Sequence, residues 1–112
     1  MLKMLITMNR DKINIEGKYK SDSIYHAIEN AFSQMGLPRM SQQGDTLMYR
    51  DNGDPRDYGR FGKIVNTFKR QAWFMDYVAE WLLYDSDDSD NPEDFNIEDL
   101  LSHYKAKQDL GA

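Results

Sequence analysis

The apolar positions of this chain change their period along the sequence, and each change predicts a different element. Leu2, Met4, Ile6 and Met8 alternate with Lys3, Leu5 and Thr7, and Ile13 and Ile15 alternate with Lys12, Asn14 and Glu16. Two such period-2 runs around Asn9-Arg10-Asp11 predict a β-hairpin. Ser21-Asp22-Ser23 then offers capping oxygens, and Ile24, Ile28, Ala31, Phe32 and Met35 recur at helical spacing until Gly36 and Pro38 end the pattern, which predicts a helix. Thr46 to Arg50 reads as a strand that pairs through Gln43-Gly44 with Arg39 to Gln42, and Asn52-Gly53 marks its end.

From Gly62 to Tyr84 the apolar density is high and neither proline nor a further glycine interrupts it, so the reading is one long organising helix. On a 100° wheel Ile64, Val65, Phe68, Ala72, Met75, Ala79, Leu82 and Leu83 form a core-facing stripe, while Trp73, Phe74, Tyr77, Trp81 and Tyr84 fall behind it. An aromatic second face needs cover. Either the other helices bury it, or part of it meets a partner or a second copy of the chain, since Trp and Tyr are enriched among interface anchors. Asn91-Pro92 and Asn96 read as start signals for a short last helix with Ile97, Leu100, Leu101 and Tyr104 on its apolar stripe.

Charge sharpens the partner reading. Residues 1–70 carry 12 Lys plus Arg against 8 Asp plus Glu, net +4, whereas residues 71–112 carry 2 against 11, net −9. No basic side chain lies between Arg70 and Lys105. Asp85, Asp87, Asp88 and Asp90 would follow the carboxyl end of the long helix, where the macrodipole disfavours carboxylates by about 0.3–1 kcal/mol each, so folding does not ask for them. They define an acidic loop over 85–96, which reads as a solvated segment or as a docking surface for a basic protein partner, including a nucleic-acid-binding protein whose phosphate site carboxylates can imitate. Calcium fits poorly: counted from Asp85, the turn position of an EF-hand loop holds Asp90 instead of glycine, and the closing position holds Asn96 instead of glutamate.

The chain has no cysteine, which removes thiol catalysis and cysteine-based zinc sites and fits a reducing compartment, so the expected location is the cytoplasm. No apolar run reaches the roughly 18 residues of a membrane span. His26 and His103 lack a second histidine one helical turn away, and no nucleophile, base and orienting acid share a signature spacing. The expectation is a protein without catalytic residues, metal or cofactor. Gly59-Arg60-Phe61-Gly62-Lys63 resembles the GxxG turn with which KH domains clamp a nucleic-acid backbone. That likeness makes Arg56, Arg60, Lys63, Lys69 and Arg70 the alternative, nucleic-acid-binding set. The small size, absent cysteines and acidic last third resemble accessory proteins of phages and conjugative elements, including inhibitors of restriction or CRISPR nucleases. That likeness, which no motif carries, implies a DNA-mimic inhibitor.

The sequence thus predicts a single α+β domain over residues 1–112. Its antiparallel sheet of three or four strands, element order ββα(β)βαα, packs on one long helix with a short helix at the end. The expected function is protein binding through Trp73, Tyr77, Trp81 and Tyr84 together with Asp85, Asp87, Asp88 and Asp90.

Overall fold

The computed structural model describes residues 2–85 and 96–111. It is a small α+β domain whose five strands form one antiparallel sheet in the spatial order β2-β3-β1-β4-β5. The strands are β1 (Leu2–Met8), β2 (Arg39–Gln43), β3 (Thr46–Arg50), β4 (Val78–Asp85) and β5 (Asn96–Asp99). The helices are α1 (Arg10–Glu16), α2 (Ser21–Gln34), α3 (Asp57–Phe68), α4 (Ala72–Met75) and α5 (Leu100–Gly111).

Three expectations are corrected. Residues 10–16 are helical, because the Asn9 side chain accepts the Lys12 N–H at 3.1 Å and Gly17, at φ 66°, closes the last turn onto the Ile13 carbonyl. A two-term alternation is too short to tell strand from helix: Ile13 is fully buried and Ile15 is 84% exposed, as residues about 200° apart on a helix would be. The 62–84 segment is not one helix either. Its first part belongs to α3, Gln71 is extended (φ −97°, ψ 117°), α4 is a single turn, and residues 78–85 are a strand. A continuous apolar run is consistent with a buried helix or a buried strand, and no Gly or Pro marked the break. Asn96, finally, begins β5 instead of a helix, and Ile97 on that strand is 61% exposed.

One face of the sheet carries the core. Leu2, Met4, Ile6 and Met8 of β1, Leu47 and Tyr49 of β3, and Trp81 of β4 belong to a single buried cluster to which every helix contributes. The register sets Ile6 between Leu47 and Trp81 and Met4 between Tyr49 and Leu83, so these side chains share one face. Phe32 of α2 stacks on Tyr49 with ring centroids 3.7 Å apart, and Phe74 of α4 meets Trp81 edge-on at 4.9 Å. Each large apolar side chain buried here contributes about 1.5–3 kcal/mol. The polar end of this layer is also tied: the Tyr49 hydroxyl donates to Glu29 Oε1 at 2.6 Å, and Arg39 Nη1 donates to the same oxygen at 2.9 Å. Burial and the neighbouring Glu29 push the Tyr49 phenol far above its ordinary range. At the β2 edge, where every residue is exposed, a register shift between Arg39 and Ser41 breaks the ladder, a feature that blunts strand-to-strand addition.

Candidate functional site

The strand geometry of β4 redistributes the aromatic residues that the helical reading had put on one surface. Trp81 is fully buried, donates Nε1–H to Met4 Sδ at 3.3 Å and packs between Phe74 and Tyr104. Tyr77 is 2% exposed under Tyr19 and the Lys12 ammonium. Both rings are core, which corrects their assignment to a partner surface. Trp73 is half-buried and lines a shallow apolar groove of about 190 Å³ with Tyr19, Ile24 and Ala27. Tyr84 and Asp85 are half-buried at the end of β4. Asp87, Asp88 and Asp90 lie outside the described residues, as does most of the 85–96 loop.

The alternative basic set also separates. Asp57 heads α3 as a buried carboxylate, 1% exposed, and accepts the backbone N–H of Asn52 at 2.7 Å, that of Asp54 at 3.3 Å and Arg60 Nη1 at 2.6 Å. Burial alone would raise its pKa, but the Asn52 amide, the Arg60 guanidinium and the Asp54 amide outweigh it and hold the carboxyl below the usual aspartate range. Arg56 is paired with Asp54 at 2.8 Å, and Arg60 also approaches Asp54 at 3.6 Å. Arg56 and Arg60 therefore close the loop before α3, and their charges are answered within the protein. Lys69 Nζ sits 5.2 Å from the Tyr104 ring centroid, while Lys63 and Arg70 are exposed. The glycines of the GxxG run lie inside α3, so the KH-like turn preceding a helix does not form.

What the fold does assemble is a cleft of about 220 Å³ between α3 and α5. Tyr58, Phe61, Gly62, Val65 and Asn66 supply one wall at i, i+3, i+4, i+7 and i+8 of α3, the spacing that puts residues on one helical face. Leu100 and Tyr104 of α5 supply the other wall, and Leu83 and Glu98, direct partners in the β4–β5 register, lie beside Leu2 along the floor. The apolar base is therefore ringed by two tyrosines, an amide and an exposed carboxylate. Gly62 has helical backbone and nothing within 4 Å of the position a Cβ would take, so bare backbone forms part of the wall. The sequence places Tyr104 on the apolar stripe of a final helix and gives Tyr58, Asn66 and Glu98 no pattern that would single them out. The single available signal was a pair of glycines three apart in a segment that proved helical, where glycine costs about 1 kcal/mol relative to alanine.

Among the described residues no three His, Asp or Glu side chains are grouped to hold a metal ion, no buried side-chain nitrogen or oxygen lacks a hydrogen-bond partner, and no helix is long and apolar enough to cross a membrane. The chain defines its class by architecture alone, a five-stranded antiparallel sheet with helices on one face. No protein-family model, curated protein or solved structure matches it.

Proposed function

We propose that this chain is a protein-binding module without catalytic activity, and that its cleft receives a lysine or arginine side chain from a basic partner. The observation that carries this reading is the combination of Tyr58, 68% exposed, and Tyr104 with the carboxylate of Glu98 around an apolar floor. Aromatic faces attract cations through their quadrupole by about 0.5–2 kcal/mol, and a carboxylate at the mouth adds a charge-assisted hydrogen bond. The Tyr104 ring already has the Lys69 ammonium over it at 5.2 Å, so the incoming cation is met by the exposed Tyr58 ring and the Glu98 carboxylate, with Tyr104 as apolar wall. The net −9 of residues 71–112 gives a basic partner long-range attraction toward this half of the chain. With Arg56 and Arg60 held by Asp54 and Asp57, direct nucleic-acid binding has less support.

The test is a titration of the full chain with an oligo-arginine peptide, followed by amide and tyrosine NMR shifts at low and physiological salt. Shifts should concentrate on α3, β5 and α5, weaken with salt, and fall in affinity roughly tenfold in Glu98→Gln. Absence of binding at low salt, or binding indifferent to both Glu98→Gln and Tyr58→Ala, would overturn the proposal.

A further inference from the structure

Between β3 and α3 the chain passes through Asp51-Asn52-Gly53-Asp54, a loop fastened on both sides of its tip. On one side Asp51 donates its backbone N–H to the Leu2 carbonyl at 3.0 Å, and its carboxylate accepts the Leu2 N–H at 2.9 Å. On the other side Asn52 and Asp54 both donate a backbone N–H to a single oxygen, Asp57 Oδ2, at 2.7 and 3.3 Å. The tip itself is open. Asn52 and Gly53 are exposed, and Gly53, at φ 78°, has nothing within 4 Å of the position a Cβ would take. Among the described residues neither the Gly53 N–H nor the Asn52 side chain makes a hydrogen bond.

We propose that Asn52 is a site of spontaneous covalent modification, at which the side-chain amide is exchanged for a carboxylate through a cyclic imide formed on the Gly53 nitrogen, and that the product unfastens the loop before α3. The Gly53 nitrogen gives up its proton and attacks Asn52 Cγ; the Cγ–Nδ2 bond breaks and ammonia leaves, which closes the imide. Water then opens one of the two imide carbonyls. Addition at the side-chain carbonyl gives aspartate on an ordinary backbone, whereas addition at the main-chain carbonyl gives isoaspartate, in which the chain runs through Cβ and Cγ and the α-carboxylate hangs free. Such an intramolecular attack needs an amide nitrogen that is unbonded and sterically open, and the exposed glycine supplies both conditions. The other described asparagines lack one or the other. The nitrogens that follow Asn14, Asn30 and Asn66 lie inside helices, where the backbone ladder holds them; the Asn9 side chain already accepts the Lys12 N–H; and Asn96 is followed by the β-branched Ile97. The effect on the fold follows from the two bonds to Asp57 Oδ2. Isoaspartate lengthens the backbone between the nitrogens of residues 52 and 54, so both cannot stay on that oxygen, and it sets a new carboxylate among Asp51, Asp54 and Asp57. A carboxylate that is 1% exposed then loses a donor. The inference stands apart from the cleft and from the proposed function.

The experiment is incubation of the full chain at physiological temperature over weeks, in mildly acidic and mildly alkaline buffer. Peptide mapping by mass spectrometry, an isoaspartate assay by enzymatic carboxyl methylation and melting curves are run on the same samples. Conversion at Asn52 should be at least about tenfold faster than at Asn14, Asn30 or Asn66, and faster in the alkaline buffer because the attacking nitrogen must lose its proton. The melting temperature should fall in step with the isoaspartate fraction. Asn52→Ser, which keeps the backbone N–H on Asp57, should begin at the wild-type melting temperature and hold it. Conversion at Asn52 no faster than at the helical asparagines, isoaspartate that leaves the melting temperature unchanged, or an Asn52→Ser chain that loses stability on the same schedule, overturns the inference.

Discussion

Along β1 and β4, neighbouring residues one position apart live in different worlds. Met4 and Ile6 are fully buried, whereas Lys3, Leu5 and Thr7 between them are half-exposed; Trp81 is fully buried, whereas Leu82 beside it is not. The outer face mixes Lys3, Thr7, Thr46, Arg50, Glu80 and Asp99 with four side chains, Leu5, Met48, Leu82 and Tyr84, that would pass for core residues by type. What separates them is the helices, which all contribute to one face of the sheet and to one buried cluster. A residue's apolar character therefore predicts that it wants cover, while the topology decides whether the same chain supplies it.

This contrast is broken most severely by paired truncations on adjacent β4 positions. Trp81→Ala removes a ring packed against Phe74, Tyr104 and Met4, and is expected to cost about 3–5 kcal/mol. Leu82→Ala should cost under about 1 kcal/mol, since the side chain is already partly in water. Denaturant midpoints of both variants measure the difference. Equal losses would mean that the outer face is covered too.

The legible parts of the fold were those where one period runs long enough to exclude the other. β1 has four buried positions in strict alternation, and α2 repeats its apolar residues over four turns between Ser21 and Gly36; both were read with nearly their observed bounds. The β2–β3 pair was marked by Gly44, whose φ of 59° suits a tight turn. The stretch from Gly62 to Tyr84 failed because both faces of β4 are apolar, so the alternation that identifies a half-buried strand was absent. That single misreading moved Trp81 and Tyr77 from the core to a surface. The cleft was illegible for a different reason, since its residues come from five elements and only the sheet register brings Glu98 beside Leu83.

A polar version of the same contrast lies at the start of α3. Asp57 is as buried as the core rings, and it is tolerated because two backbone amides and Arg60 satisfy it. Asp57→Ala should cost about 2–3 kcal/mol at neutral pH, from amides left without an acceptor and a lost charge-assisted bond. The folded pKa is depressed, so the carboxylate's contribution is fully present above the unfolded value of about 3.9 and is lost as pH falls through the lower folded value. The stability gap between wild type and Asp57→Ala, followed by urea unfolding from pH 7 downward, should hold to about pH 4 and then close. A gap that does not change with pH would show that the ionised carboxylate is not what stabilises the loop.

The smallest effect separates stability from binding at the cleft. Gly62 sits in the interior of α3 with room for a Cβ, and alanine in such a position favours the helix by roughly 0.5–1 kcal/mol. If the wall is bare only by chance, Gly62→Ala should raise the melting temperature and change nothing else. If the bare wall exists to admit a partner's side chain, the same variant should gain that stability while binding oligo-arginine more weakly, and a larger Gly62→Leu should bind more weakly still by filling the space next to Tyr58 and Asn66. The two measurements move in opposite directions under the cleft reading, which no general damage to the fold can imitate, because damage lowers both. A variant that is more stable and binds as well as wild type would leave the glycine without a role in recognition and remove Gly62 from the site.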